Sequence, residues 1–191
     1  INALDAINLL FAGINAWRQH LPDSSRVHGI ISKGGDAANI IPAHTAGYFY
    51  LRSVTNEGCA EMEKRFRDIV KGAALMTGCG FECKIRPNSY MANLPYPFMD
   101  EFVKNRLEKN GMNPEYIPDC ISTDYGNVSQ IIPACNFFFS IIEDNRETGL
   151  HSMDFKESAS KDYAFEQTLK AGKVMAETGI EYLQGRLRPS E

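Results

Sequence analysis

The sequence predicts an α/β protein: a two-layer β-α-β sandwich of α+β type at the start, joined to a second stretch of different texture. Three observations predict it. Residues 2–20 and 57–77 repeat their apolar positions at helical spacing, and residues 26–32, 43–54 and 79–86 are β-branched or alternating runs. A proline-rich break near residue 87 then ends that pattern.

Each element has its own signal. Leu4, Ile7, Leu10, Phe11, Ile14 and Trp17 mark a helix over 2–20, ended by Leu21-Pro22-Asp23. The run Arg26-Val27-His28-Gly29-Ile30-Ile31-Ser32, between Ser24-Ser25 and Gly34-Gly35, reads as a strand. The loop after the double glycine closes at Asn39-Ile40-Ile41-Pro42. A second strand follows over 43–54, where Tyr48, Tyr50 and Arg52 alternate with Phe49 and Leu51. Met62, Phe66, Ile69, Val70, Ala73 and Met76 mark a second helix over 57–77, stopped at Gly78, and 79–86 is expected as a third strand. Helix, strand, strand, helix, strand is one strand short of a split β-α-β sandwich with both helices on one sheet face. The missing strand is expected before Ile1, in keeping with a chain that starts in mid-helix pattern and without methionine.

Pro87 and Pro95-Tyr96-Pro97 mark a linker, which predicts domains 1–87 and 88–191. Beyond it, a helix is expected over 98–110 with Gly111 as its stop. Residues 114–133 are rich in turn formers, and long irregular segments inside a domain are often functional. An apolar strand over 135–142, a loop over 143–155 holding His151 and a closing helix over 161–187 complete the reading.

Composition narrows the function classes. A hydrophobic share of 43%, a charged share of 23% and a net charge of −4 are ordinary for a globular chain of 191 residues, with no basic excess for a nucleic-acid partner. No apolar run approaches the roughly 18–20 residues of a membrane span, so no membrane partner is expected and a cytoplasmic setting fits best. Five irregularly spaced cysteines argue against a disulfide framework. Cys79 and Cys83 would share a strand face, but no second pair or nearby histidine completes a metal site, which favours buried small hydrophobes.

Five residues are candidates for chemistry, each with a plainer alternative. His28, beside Gly29 on a strand, is either a half-buried histidine bonded to a neighbour or a neutral imidazole that donates to an oxyanion. Asn39 and Arg52 either close a turn and face solvent, or supply an amide and a guanidinium fork to a carboxylate. Asp124, in Ser122-Thr123-Asp124-Tyr125-Gly126-Asn127, either anchors its own loop or belongs to a loop that offers donors to a substrate. His151, in Gly149-Leu150-His151-Ser152, is a structural histidine or a metal ligand, and one histidine cannot make a zinc site.

Taken in order, Asn2-Ala3-Leu4-Asp5-Ala6, Val27-His28-Gly29-Ile30-Ile31, Gly34-Gly35, Asn39-Ile40-Ile41-Pro42, Arg52, Ser122 through Ser129 and Leu150-His151-Ser152 resemble the ordered motifs of peptidase family M-twenty. The branch is that of aminoacylase and aminobenzoyl-glutamate hydrolase, with a dipeptidase-like relative. The resemblance spans nearly the whole chain. It implies that 1–87 is a dimerisation or lid domain lacking its first strand, and that 88–191 is the C-terminal part of a zinc-peptidase-like catalytic α/β domain. It also implies a homodimer formed through the lid, two divalent ions in the full-length parent (zinc, with manganese or cobalt as other options) and a small-molecule or dipeptide substrate with a free carboxylate. On the same ground, His28 stabilises the oxyanion in the partner subunit's site, Asn39 and Arg52 hold the carboxylate, Asp124 lies near the substrate and His151 is the C-terminal metal ligand. The family's His-x-Asp ligand pair, bridging carboxylate and adjacent acidic residues are absent here, so the chain alone is expected to be inactive. Cys135-Asn136 stands where many relatives carry a polar or aromatic pair, which leaves substrate preference open. A reading of another class is a dimerisation or binding module with no catalysis of its own.

Overall fold

A computed structural model describes residues 1–86, 89–117, 122–143 and 148–188. Pro87, on which the expected domain boundary rests, lies outside them, as do 118–121 of the turn-rich segment and 144–147 of the loop before His151. The described chain is a mixture of helices with one small antiparallel sheet, and it divides into two units, Ile1–Ala92 and Asn93–Glu191.

The first unit holds helix α1 (Ala3–Arg18), strands β1 (Arg26–Lys33) and β2 (Ala46–Arg52), and helix α2 (Asn56–Thr77). Asn2 caps α1, its side chain accepting from the Leu4 N–H at 3.0 Å, and Thr55 caps α2 by accepting from Gly58 N–H at 3.0 Å. Gly78 ends α2 in the left-handed conformation, φ 70°, which a residue without Cβ adopts freely. Ile7, Leu10 and Ile14 of α1 and Met62, Phe66 and Ala73 of α2 are buried, one stripe from each helix. All but Ile7 meet Val27 of β1 and the half-buried Phe49 and Leu51 of β2 in a common core. Burying a side chain such as Phe66 or Leu10 contributes on the order of 1.5–3 kcal/mol.

Phe49 is central to that core, its ring 5.2 Å from Phe11 and 5.0 Å from Phe66 between centroids. It lies against Gly29, its partner across the antiparallel ladder. A Cβ added to Gly29 would run into the Phe49 ring. Gly29→Ala is therefore expected to destabilise the protein by about 1–3 kcal/mol, despite the better backbone propensity of alanine. A urea midpoint equal to or above that of the unaltered protein would show that Phe49 yields instead.

The expected third strand over 79–86 is not a strand. The described sheet has two strands, β1 and β2, and 79–86 makes no ladder with either. An alternating sequence specifies a face to bury but not the neighbour that pairs its backbone. Other contacts hold the segment. The Cys79 thiol lies 3.8 Å from the Asn2 carbonyl, Arg67 Nη1 donates to the Cys83 carbonyl at 3.1 Å, and the Arg86 guanidinium sits 4.2 Å over the Tyr48 ring. β2 is also shorter than expected. The Thr45 hydroxyl donates to the Ala3 carbonyl at 2.8 Å, and β2 ends at Arg52, just before the Thr55 cap of α2.

The second unit is built on helices α3 (Pro97–Lys109) and α6 (Asp162–Leu183), with two short helices, α4 (Tyr125–Ser129) and α5 (Met153–Ser158), between them. Val103 and Leu107 of α3 pack with the fully buried Val174 of α6, and Phe102, Met112, Cys135 and Phe137 surround them. Arg106 adds ion pairs to Glu177 at 3.6 Å and Glu181 at 3.8 Å across the same helix pair. The strand expected over 135–142 is likewise absent: the segment makes no ladder bonds, and Phe138 and Phe139 are exposed. Its apolar content predicts burial, whereas a strand also needs a partner, and the second unit has none among the described residues.

Candidate functional site

Strand alternation and register together decide which residues share a surface. In the β1–β2 ladder Arg26 pairs with Arg52, His28 with Tyr50 and Ile30 with Tyr48. These six side chains lie on the face opposite the core, because the intervening residues Val27, Phe49 and Leu51 point into it. His28, Arg52 and Tyr50 are exposed. His28 and Arg52 therefore occupy one open face, on adjacent rungs, and the half-buried alternative for His28 does not hold.

Arg26 and Arg52 both make contacts beside this face, and a third cation, Arg86, lies 4.2 Å over Tyr48. Arg26 Nη1 donates to the carbonyls of Asp23 and Ser25 in the turn before β1. The Arg52 guanidinium carbon lies 6.0 Å from the Tyr50 ring centroid, at the outer edge of the cation–π range.

Asn39 is exposed on the loop that joins the strands. That loop turns at Gly35, φ 142°, and is tied to the start of α1 by the Ala3 N–H, which donates to the Pro42 carbonyl at 3.1 Å. Between loop and helix is an open depression of about 550 Å³ lined by Asn2, Leu4 and 34–42.

In the second unit Asp124 is exposed at the N-cap position of α4. Its backbone carbonyl accepts from Asn127 and Val128, and its carboxylate accepts from the Thr123 hydroxyl at 3.1 Å. The fully buried residue of this motif is Ser129, whose hydroxyl accepts from Leu94 N–H at 3.0 Å and donates to the Gly126 carbonyl at 2.8 Å. Ser129 was no candidate from sequence, since a serine in a polar loop carries no burial signal. It is the residue that holds the Asp124 loop to the start of the unit.

His151 is exposed just before Ser152, which caps α5 by accepting from Phe155 N–H at 3.1 Å. With Leu150, Met153 and Phe155 it lines an open depression of about 400 Å³. Among the described residues it is the one non-glycine with positive φ, 67°. Such a conformation is uncommon for a residue with a side chain and marks a position worth explaining.

Among the described cysteines, burial holds two as protonated thiols. The four described ones, Cys59, Cys79, Cys83 and Cys135, are free thiols and half-buried. Burial pushes the Cys135 thiol up to about 12, with the hydrogen-bonding Asp100 carboxylate adding to the effect. Burial, and then Glu63, also raises Cys59. Neither is a thiolate near neutral pH, as a nucleophile or metal ligand must be.

Likeness to characterised proteins decides the family. No family model matches the chain. Over 190 residues it is 30% identical to the Xaa-Arg dipeptidase of Mus musculus, an alignment covering 96% of this chain and 43% of that protein. The Xaa-Arg dipeptidase of Homo sapiens gives the same identity with 42% of its length covered. A p-aminobenzoyl-glutamate hydrolase polypeptide of Escherichia coli strain K12 is 29% identical over 109 residues, 53% of this chain and 23% of that one. The chain belongs to peptidase family M-twenty. This M-twenty chain spans less than half the length of the dipeptidases it matches.

A tetrahedral metal centre needs about four donors. One imidazole such as that of His151 offers a single donor, and among the described residues of this M-twenty chain no three His, Cys, Asp or Glu side chains gather as a ligand set. The described residues alone do not fit a metal. No described helix is long and apolar enough to cross a membrane.

Proposed function

We propose that this chain is the carboxylate-recognising and dimer-forming portion of a metal-dependent, cytoplasmic hydrolase. Its reaction is cleavage of an amide bond in an N-acyl amino acid, an aminobenzoyl-glutamate-like compound or a dipeptide with a free carboxylate. The observation that carries the reading is the open hairpin face, with an imidazole and a guanidinium on adjacent rungs, in a chain aligned over 96% of its length with dipeptidases. A guanidinium fork matches a carboxylate in shape and charge, so Arg52 binds that end of the substrate and the Asn39 amide adds a donor. His28 donates to the oxygen that becomes negative when the amide carbonyl is attacked. The Asp124 loop borders the substrate.

In this reading residues 1–87 form a lid domain, and two copies pair through it so that His28 serves the partner subunit's site. Residues 88–191 form part of a larger catalytic domain. The two-sided apolar character of α6 supports that: Ala164, Ala171 and Val174 are buried, while Phe165, Leu169, Ile180 and Leu183 are more than half exposed. His151 is one ligand of a divalent metal in the full-length protein, zinc first and manganese or cobalt as other occupants. The remaining ligands come from outside the described residues.

Arg52→Ala tests the reading in the hydrolase that contains this chain. A charge-assisted hydrogen bond contributes about 1.5–3 kcal/mol, so KM for carboxylate-bearing substrates is expected to rise about 10- to 100-fold, with kcat changed much less. The same substrates capped as carboxamides are expected to lose little. A fall in kcat with KM unmoved assigns Arg52 another role.

A further inference from the structure

Along β2 the hairpin's open face presents Arg52, Tyr50 and Tyr48 in order, and His28 stands opposite the middle one. Neighbouring side chains on one face of a strand are two residues and about 7 Å apart. The Arg86 guanidinium joins the face at Tyr48, its carbon 4.2 Å from the ring centroid and well inside the cation–π range. The His28 rung therefore has an arginine at each neighbouring rung. Arg86 is exposed, and among the described residues the Tyr48 ring is its one partner, so its N–H fork is open to a ligand. Glu82, the acidic residue nearest to it in sequence, is paired with Lys84 at 2.8 Å. None of the six rung residues Arg26, His28, Ile30, Tyr48, Tyr50 and Arg52 is acidic, which makes this a cationic face on a chain of net charge −4.

We propose that Arg86 binds a second anionic group of the substrate, a carboxylate at the end of the acyl part, across the scissile amide from the carboxylate that Arg52 holds. The inference rests on the roles given to His28 and Arg52 above. With the amide at His28 and the amino-acid carboxylate toward Arg52, the acyl chain runs along β2 toward Tyr48. A short acyl chain that ends in a carboxylate there meets a guanidinium of matching shape and opposite charge. An uncharged acyl group of the same length gains nothing from Arg86, and one ending in an ammonium is repelled. The Tyr48 ring holds the guanidinium in place beforehand, which lowers the rotamer entropy lost on binding. The substrate class narrows to N-acyl amino acids with an acid on both sides of the amide bond.

The experiment uses the full hydrolase that contains this chain, with the variants Arg86→Ala, Arg86→Lys and Arg52→Ala. Two substrates are compared by kcat/KM: an N-glutaryl amino acid, and the same compound with the glutaryl acid converted to its primary amide. The unaltered enzyme is expected to favour the acid by about 10- to 100-fold, the usual size of one charge-assisted hydrogen bond. Arg86→Ala is expected to remove that preference by slowing the acid alone, and Arg86→Lys to keep part of it. Equal rates on the two compounds in the unaltered enzyme overturn the proposal, as does a preference that survives in Arg86→Ala or an equal loss on both compounds in that variant. In each of these cases an Arg52→Ala variant that loses both substrates alike leaves the carboxylate reading standing. An Arg52→Ala variant with no effect on either compound removes that reading, and the assignment of Arg86 to the acyl side falls with it. Arg86→Gln, which keeps a long stem over the Tyr48 ring, replaces the alanine variant if that one does not fold.

Discussion

His28→Ala is expected to lower kcat by about 10²- to 10³-fold while KM stays within a few-fold of its original value. That is the usual consequence of deleting one donor to a developing oxyanion, because the donor is used far more in the transition state than in the bound substrate. His28 is exposed, and alanine replaces it on a face opposite the core, so stability should move by no more than about 0.5 kcal/mol. His28→Gln keeps an N–H donor at similar reach and is expected to recover part of the loss. Mixing subunits tests which site the imidazole serves. If His28 acts across the dimer, a His28→Ala subunit paired with a His151→Ala subunit has one complete site and one doubly defective site. Random exchange should then return about a quarter of the original activity from two inactive parents. No recovery on mixing, with exchange confirmed by a size or label assay, would place His28 in its own subunit's site.

What could be foreseen from sequence separates along one physical line, local versus non-local information. Helices α1, α2, α3 and α6 announce themselves because each buries one stripe whose period lies within the segment, as Ile7, Leu10 and Ile14 or Met62, Phe66 and Ala73 do. The β1–β2 hairpin was legible for the same reason, with its neighbour a single loop away. Residues 79–86 and 135–142 have strand-like composition and no ladder. Pairing is a property of two segments, and neither segment encodes its partner. Helices α4 and α5 escaped because five or six residues are too few to show a period, and the cap at Ser152 was the only local sign of α5. The site divides likewise. His28, Asn39 and Arg52 could be nominated singly from residue chemistry. That His28 and Arg52 share one face depends on register across the loop between the strands, and so does the opposition of Arg26 and Arg52.

Replacing His151 should separate metal retention from folding stability, because its backbone and its side chain have different tasks. A left-handed conformation costs an L-residue roughly 1–2 kcal/mol, and this histidine adopts it at φ 67°. His151→Gly removes that strain and adds about 0.4–1 kcal/mol of unfolded-state entropy, so the metal-free protein should be equally stable or slightly more so. His151→Ala keeps the Cβ and the strain, and its metal-free form should be no more stable than the original. Metal behaviour should ignore this difference. Loss of groups that only support a ligand already weakens metal binding about 10- to 100-fold, and loss of the ligand itself should weaken it at least as much in both variants, with turnover falling alongside. Thermal denaturation offers a readout independent of activity. Zinc at about a hundred times its dissociation constant should stabilise the original hydrolase by about 2.7 kcal/mol and should shift either variant far less. A His151→Gly protein that keeps its full zinc content and thermal response would show that the strained backbone serves the start of α5, with the imidazole no ligand at all.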